Sequence, residues 1–422
     1  MSAGSAFVRE AAFVMRDRAI VTAVFVALVL SIVSVTSGSL EVRDQQRTIG
    51  SLLETDAEER RLTFFEQSDW GSAAYYSFHL TYDPPSAFAF AALGQRDSTA
   101  WKHRVRMLAM EGQIHERDAG NPVFALIGRF DFAFLVTFVV PLLLIALLHD
   151  LRAAERAVGR HDLLVATATN AKAFWFTRAT VRAVGVYIAV IIPLIIGGVL
   201  SRTSPITMLL ASAAVALYIA FWMWVCLRVS AWQQSAGAIV SALLGVWVLL
   251  AVVVPALGRI VIDQTVSLPH GSDILLTQRE AVNDAWDLPV VTTMDAFVAR
   301  HPEWAPYTEV GQEGFEWKWY YAFQQVGDQH VEPLTNAYRE GRLLRDRWAS
   351  RIALLSPPAL MERTLQKLAD TDIPASIAYE LEVRRYHDSL REFYYPKLFK
   401  GEAFDPQAFE RLPVFTPIAQ SR

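Results

Sequence analysis

Five stretches of this chain, residues 19–35, 132–148, 184–200, 206–227 and 236–257, are apolar and almost free of charge. A bilayer core about 30 Å thick needs roughly 20 mostly apolar helical residues, and a charge at mid-depth costs several kcal/mol. These runs therefore predict an all-α polytopic membrane protein with about five transmembrane helices. Hydrophobic residues make up 53 % of the chain, yet 39 basic residues nearly balance 43 acidic ones. The apolar excess is thus confined to the runs, and the segments between them read as water-exposed protein.

Lys and Arg near the ends of the runs set the expected orientation. Arg9, Arg16 and Arg18 precede the first run; Arg152, Arg156, Arg160, Lys172, Arg178 and Arg182 lie between the second and third; Arg228 follows the fourth. The opposite flanks carry fewer, namely Arg43, Arg47, Arg129, Arg202 and Arg259. This bias predicts a cytoplasmic N-terminus, a first span over 19–36, and spans two to five within 131–257. Residues 37–130 and 258–422 become two mainly helical extracytoplasmic domains. A cleavable signal peptide is the competing reading of the first run, which ends in the small-residue stretch from Ser34 to Ser39. That run exceeds the usual 7 to 15 residues of such a segment. The single cysteine, Cys226, lies in the fourth run, so no internal disulfide can staple the outer segments.

Local patterns add detail. Residues 1–18 place Phe7, Ala11, Val14 and Met15 on one helical face, as an interfacial helix would. Asp83-Pro84-Pro85 ends any helix in the aromatic stretch that starts at Trp70. From Trp319 a helical stripe continues past Pro333 to Leu355, and Ser356-Pro357 then reads as an N-cap and first helical position. A last helix carries Tyr379, Val383, Tyr386, Leu390 and Phe393, with a charged opposite face expected to be solvated.

Signatures of catalysis are missing. The chain holds no G-x-x-x-x-G-K-[ST] phosphate loop and no H-E-x-x-H pair, and nine scattered histidines with one cysteine offer no zinc-ligand spacing. The runs also lack mid-depth carboxylates: Asp131 and Asp150 stand at the two edges of the second. Ion-coupled carriers usually keep such groups inside the bilayer, so a separate energy source is the better expectation.

The inner loop from about 150 to 178 reads HDLRAAERAVGRHDLLVATATNAKAFWFTR from His149. It resembles the loop between the second and third spans of ATP-binding-cassette permeases of the second exporter type. In that family the loop carries a coupling helix that docks into the ATPase. The resemblance places Glu155 and Gly159 at the acid-and-glycine element, Leu163, Leu164 and Thr167 within the helix that runs to Thr169, and Arg178 where the chain re-enters the membrane. The elements NPVFALIGRFDFAF and LSPPALMERTLQKLADTD resemble a bacterial subgroup with two large extracytoplasmic domains. The resemblance implies an exporter permease of the bacterial inner (plasma) membrane, with a separate ABC ATPase subunit that binds ATP and Mg and a second permease subunit, identical or related. No cofactor, metal or nucleic acid is expected on this chain; membrane lipid surrounds it. The family pattern has six spans, so five imply an outside C-terminus or a span supplied by a partner. A membrane scaffold or mechanical transmitter that moves no cargo is the alternative. Glu155 also has a plainer reading, as the partner of Arg152 or Arg156 on an exposed helix.

Overall fold

The computed structural model describes residues 3–116, 130–168, 170–309 and 315–418. Five of its helical stretches are long and apolar enough to cross a membrane: Arg18–Phe65, Phe132–Ala157, Ala171–Leu200, Pro205–Val229 and Ala236–Thr265. The chain is a multi-pass membrane protein.

Helix α1 (Ala3–Val14) leads through a short turn into α2 (Arg18–Phe65), which Asp17 caps by accepting from the amide of Ala19 at 3.0 Å. At 1.5 Å per residue, the 48 residues of α2 extend about 72 Å, more than twice the thickness of a bilayer core. The span therefore continues without a break into the polar part of the molecule. The Ser34–Ser39 stretch lies inside this helix, where its small side chains admit close neighbours. Ser31 Oγ donates to Val190 O at 2.9 Å across to α9 (Ala171–Leu200).

The second span is built from α5 (Phe132–Phe134), a π-helical turn (Leu135–Val139) and α6 (Val140–Leu148). Helices α7 (Ala153–Ala157) and α8 (His161–Thr167) follow it, then α9, α10 (Pro205–Val229), α11 (Ala236–Val248), a second π turn (Leu249–Val253) and α12 (Val254–Thr265). Helix α6 touches α2, α9, α10 and α11, and its Val140, Leu144 and Leu148 are fully buried. Both π turns stand just before a proline, Pro141 and Pro255. Proline withholds an amide hydrogen from the preceding turn, and the freed carbonyls need other donors. Tyr218 Oη donates to Thr137 O at 2.7 Å, and Ser356 Oγ donates to Leu250 O at 2.7 Å. Gly197 permits another close approach: a Cβ there would lie 2.8 Å from Val35 and 2.7 Å from Phe90. That contact is internal to the chain, whereas Gly237 and Gly245 face open space.

The polar region contains α3 (Trp70–Tyr76), strands β1 (His79–Tyr82) and β2 (Lys102–Val105), α4 (Met110–His115), α13 (Gly271–Asp284), α14 (Val290–Arg300), α15 (Trp317–Ala353), α16 (Pro357–Leu368) and α17 (Ile373–Phe399). The antiparallel pair β1–β2, in register His79 with Val105, is the one sheet among the described residues and the departure from an all-α chain. Asp83-Pro84-Pro85 follows β1 directly. The two polar segments share one hydrophobic cluster: Phe64, Trp70, Val105 and Met110 from the first pack with Phe297, Tyr321, Phe323, Leu390 and Tyr394 from the second. Neither segment closes that core alone.

Helix α16 packs elsewhere. Its Met361 and Leu365 belong to the cluster of the spans, and the helix lies against α10 and both π turns. Ser356 caps it, accepting from Ala359 N at 3.2 Å, with Pro357 at the first position. Asp131, at the start of the second span, caps α5 through Phe134 N and also accepts from Leu93 N at 2.9 Å. This joins the bundle to the polar domain. Of the element NPVFALIGRFDFAF, residues 121–129 lie outside the described residues.

Candidate functional site

Two short helices, α7 and α8, follow the second span at the end of the bundle opposite the polar domain, and Arg178 lies in the second turn of α9. Helix α7 is followed, after its C-cap Val158, by Gly159, whose φ of +72° lies in the left-handed region that favours glycine. The chain reverses there and starts α8, in which no residue is buried. Leu163 is 65 % exposed, Leu164 is half-buried, and Thr167 turns its hydroxyl back to Leu163 O at 2.8 Å. The short helix ends at Thr167, and Thr169 lies outside the described residues. Asn170 then caps α9 by accepting from Ala173 N at 3.0 Å.

Glu155 and Arg178, singled out from the sequence at opposite ends of the loop, meet. Glu155 accepts from Arg178 Nη1 at 3.0 Å and from Arg160 Nε at 3.0 Å, with its side chain 12 % exposed. Arg152 and Arg156, the partners of the plainer reading, are not ion-paired to it. Arg178 also donates to Glu10 of α1 at 2.8 Å and lies against Phe174 and Trp175. One guanidinium thus ties the N-terminal helix, the loop and the start of α9 together. Glu10 is the residue that sequence reasoning missed; its signal was the one carboxylate of a short helix whose only other charge is Arg9.

Trp175, 3 % exposed, is the apolar anchor under the loop: His161 stacks on it at 5.8 Å and the Arg152 guanidinium lies 5.5 Å away. Arg156 donates to the carbonyls of Trp232 and Gln234, in the turn joining α10 to α11, at 2.9 and 3.1 Å. Between the loop and that turn is a polar cavity of about 410 Å³, lined by Arg152, Arg156, Gly159, His161, Asp162, Ala231 and Gln233.

A second polar concentration fills the other end of the molecule. The face of α17 expected to be solvated is instead buried in part by ion pairs. Arg391 pairs with Asp328, and Arg384 makes a two-pronged contact with Glu111 at 2.7 and 2.8 Å. Asp328 also accepts from the amides of Met110 and Glu111 and from Gln278 Nε2. Burial pushes its carboxyl above the ordinary value, against the pull of Arg391 and the two amides. Among the described residues no group of three or more His, Cys, Asp or Glu could hold a metal ion.

Residues 274–418 match the model of a domain of unknown function, DUF3526. The matched segment runs from within α13 past α17, so it contains Asp328, Arg384, Arg391 and α16 but not the loop. No curated protein and no solved structure matches the chain.

Proposed function

We propose that this chain is the membrane-spanning permease subunit of an ATP-driven ABC transporter of the exporter type, energised by a separate ATPase subunit. The observation that carries the reading is α8: a helix with no buried residue, exposing Leu163, held by a turn at Gly159 and by the Glu155–Arg178 ion pair. A helix that leaves its apolar side chains open while its base is fixed suits insertion into a groove of another protein, because little ordering remains to oppose binding. ATP and Mg act on the partner, and closure of that partner would push on α8. The push reaches α1 and α9 through Arg178. Such coupling requires two states of the bundle that ATP binding and cargo weight differently.

A second permease subunit, identical or related, completes the transporter in this reading. The fifth span is the surface we assign to it, since only 17 % of its most apolar window is buried within the chain. The loop end faces the cytoplasm of a bacterial cell and the polar domain lies outside. The uninterrupted α2 favours a second reading, a mechanical transmitter that moves no cargo, because one rigid helix connects the bundle to the polar domain.

Substituting Leu163 and Leu164 together by Asp tests the coupling role. The expected result is loss of ATPase co-purification and of cargo-stimulated ATP hydrolysis, with the helical content of the purified membrane subunit unchanged. Retained assembly and activity would sink the proposal. Assembly without cargo-dependent hydrolysis in the unaltered complex would favour the transmitter.

A further inference from the structure

The cavity beside the loop contains two arginines that the loop's own ion pairs leave out. Arg152 donates no hydrogen bond to any described residue, and its Nε is buried without a partner. Arg156, one helical turn later, donates only to neutral carbonyls. Among the described residues neither pairs with a carboxylate; Glu155 is engaged by Arg160 and Arg178, and Asp162 on the rim is fully exposed beside His161. Two half-buried cations that share a cavity whose one carboxylate, Asp162, stands out in solvent repel each other and lose hydration. An anion placed between them relieves both costs.

The depth of the cavity indicates which anion. Arg152 follows closely on Leu148, where α6 ends, and rests on Trp175 at the start of α9. Trp224 and Trp232, 56 % and 53 % exposed, lie at the same end, with Arg228 over the Trp224 ring at 5.6 Å. Tryptophan with arginine at the ends of spans marks the headgroup level of a bilayer. Basic pockets between spans at that level suit phosphate-bearing headgroups, which arginine binds through paired charge-assisted hydrogen bonds.

We propose that this cavity is a binding site for the phosphate of an anionic lipid headgroup, held by Arg152 and Arg156 with His161 at its edge. The position at the belt, rather than out beside Leu163, favours a lipid over an acidic segment of a partner protein. The site would make the seating of α7 and of the α10–α11 turn depend on lipid composition.

The test uses the full chain in nanodiscs of phosphatidylcholine into which phosphatidylglycerol is titrated, with the thermal unfolding midpoint as readout. The midpoint should rise with phosphatidylglycerol. Arg152→Gln should weaken the apparent affinity roughly tenfold, the loss of about one charge-assisted contact, and Arg152→Lys should recover part of it. Arg156→Gln is the less decisive variant, because it also releases the turn after α10. Equal midpoints in the two lipids, or an unchanged response in Arg152→Gln, would overturn the proposal. A rise of the same size with inorganic phosphate in phosphatidylcholine alone would overturn the lipid assignment in favour of a soluble anion. No lipid preference, but weaker ATPase binding by Arg152→Gln, would give the cavity to the partner instead.

Discussion

Arginines at the two ends of this molecule are treated in opposite ways. In the polar domain, Arg342, Arg384 and Arg391 each meet a carboxylate in a part-buried setting, and Arg96 pairs with Asp83. At the loop end, Arg178 alone is matched from two sides, while Arg152 and Arg156 keep their charge without an anion. A domain whose part-buried arginines Arg96, Arg342, Arg384 and Arg391 meet internal carboxylates is fitted to stay as it is. An end with exposed leucines and unmatched cations is fitted to meet something else, and we assign to it the ATPase and the lipid headgroup.

The largest effect expected from this contrast follows from removing a partner in the closed set. Asp328→Ala leaves Arg391 with only the longer 3.5 Å contact to Asp388 and strands Gln278 Nε2 and two backbone amides, and breaking one member of such a buried network costs about 3–5 kcal/mol. The thermal midpoint of the purified protein, followed by tryptophan fluorescence, should fall sharply. Arg152→Gln in phosphatidylcholine should leave it nearly in place. Similar losses from both substitutions would erase the distinction between the two ends.

Acid should weaken the domain through its buried histidines. Burial and then the nearby Arg60 push the His79 imidazole down to about 3, and burial with Arg391 holds His387 well below its ordinary value. Both stay neutral in the folded domain while the unfolded chain takes up protons near pH 6.5. The stability they contribute is therefore present above that pH and is lost as pH falls, at about 1.4 kcal/mol per pH unit for each histidine. Asp83 and Asp328, raised by burial, act in the opposite direction, so the histidine share is read as the difference between the unaltered protein and His79→Gln over the window pH 7 to 5. The midpoint should drop across it, and His79→Gln should make the drop shallower. A flat profile would contradict the assignment of neutral buried rings.

Glu155→Gln should have the smallest effect on stability, about 1 kcal/mol, since Arg160 is 62 % exposed and Arg178 keeps Glu10. Its consequence should appear instead as faster proteolysis at the loop. Unchanged cleavage would show that the loop is held by Trp175 rather than by charge.

Much of the bundle was legible because the bilayer imposes a length and an absence of charge that any reader of the chain can count. The Ser356-Pro357 cap and the stripe from Tyr379 to Leu390 were also plain, since both are local patterns. The uninterrupted α2 was not, because Ser34 to Ser39 look like a boundary when they are contact residues. Strands of four residues carry too little alternation to be told from loop. The shared core joins Trp70 to Phe404 and Gly71 to Tyr321 across most of the chain, and the buried pairs of α17 draw on Glu111 and Asp328 from other segments. Such distant pairings leave no periodic trace. The loop shows the same division. Glu155 and Arg178 were visible as its two charged ends, whereas Glu10, reached from α1, was not.

The central claim, that α8 is the point of energy input, is tested most directly by cross-linking. A photoreactive residue at Leu163, in cells that express the chain with its own partners, should yield an adduct with a P-loop ATPase subunit. The same probe at Leu257, on the exposed face of α12, should not. An ATPase adduct from both positions, or none from Leu163 while the complex assembles, would contradict the account.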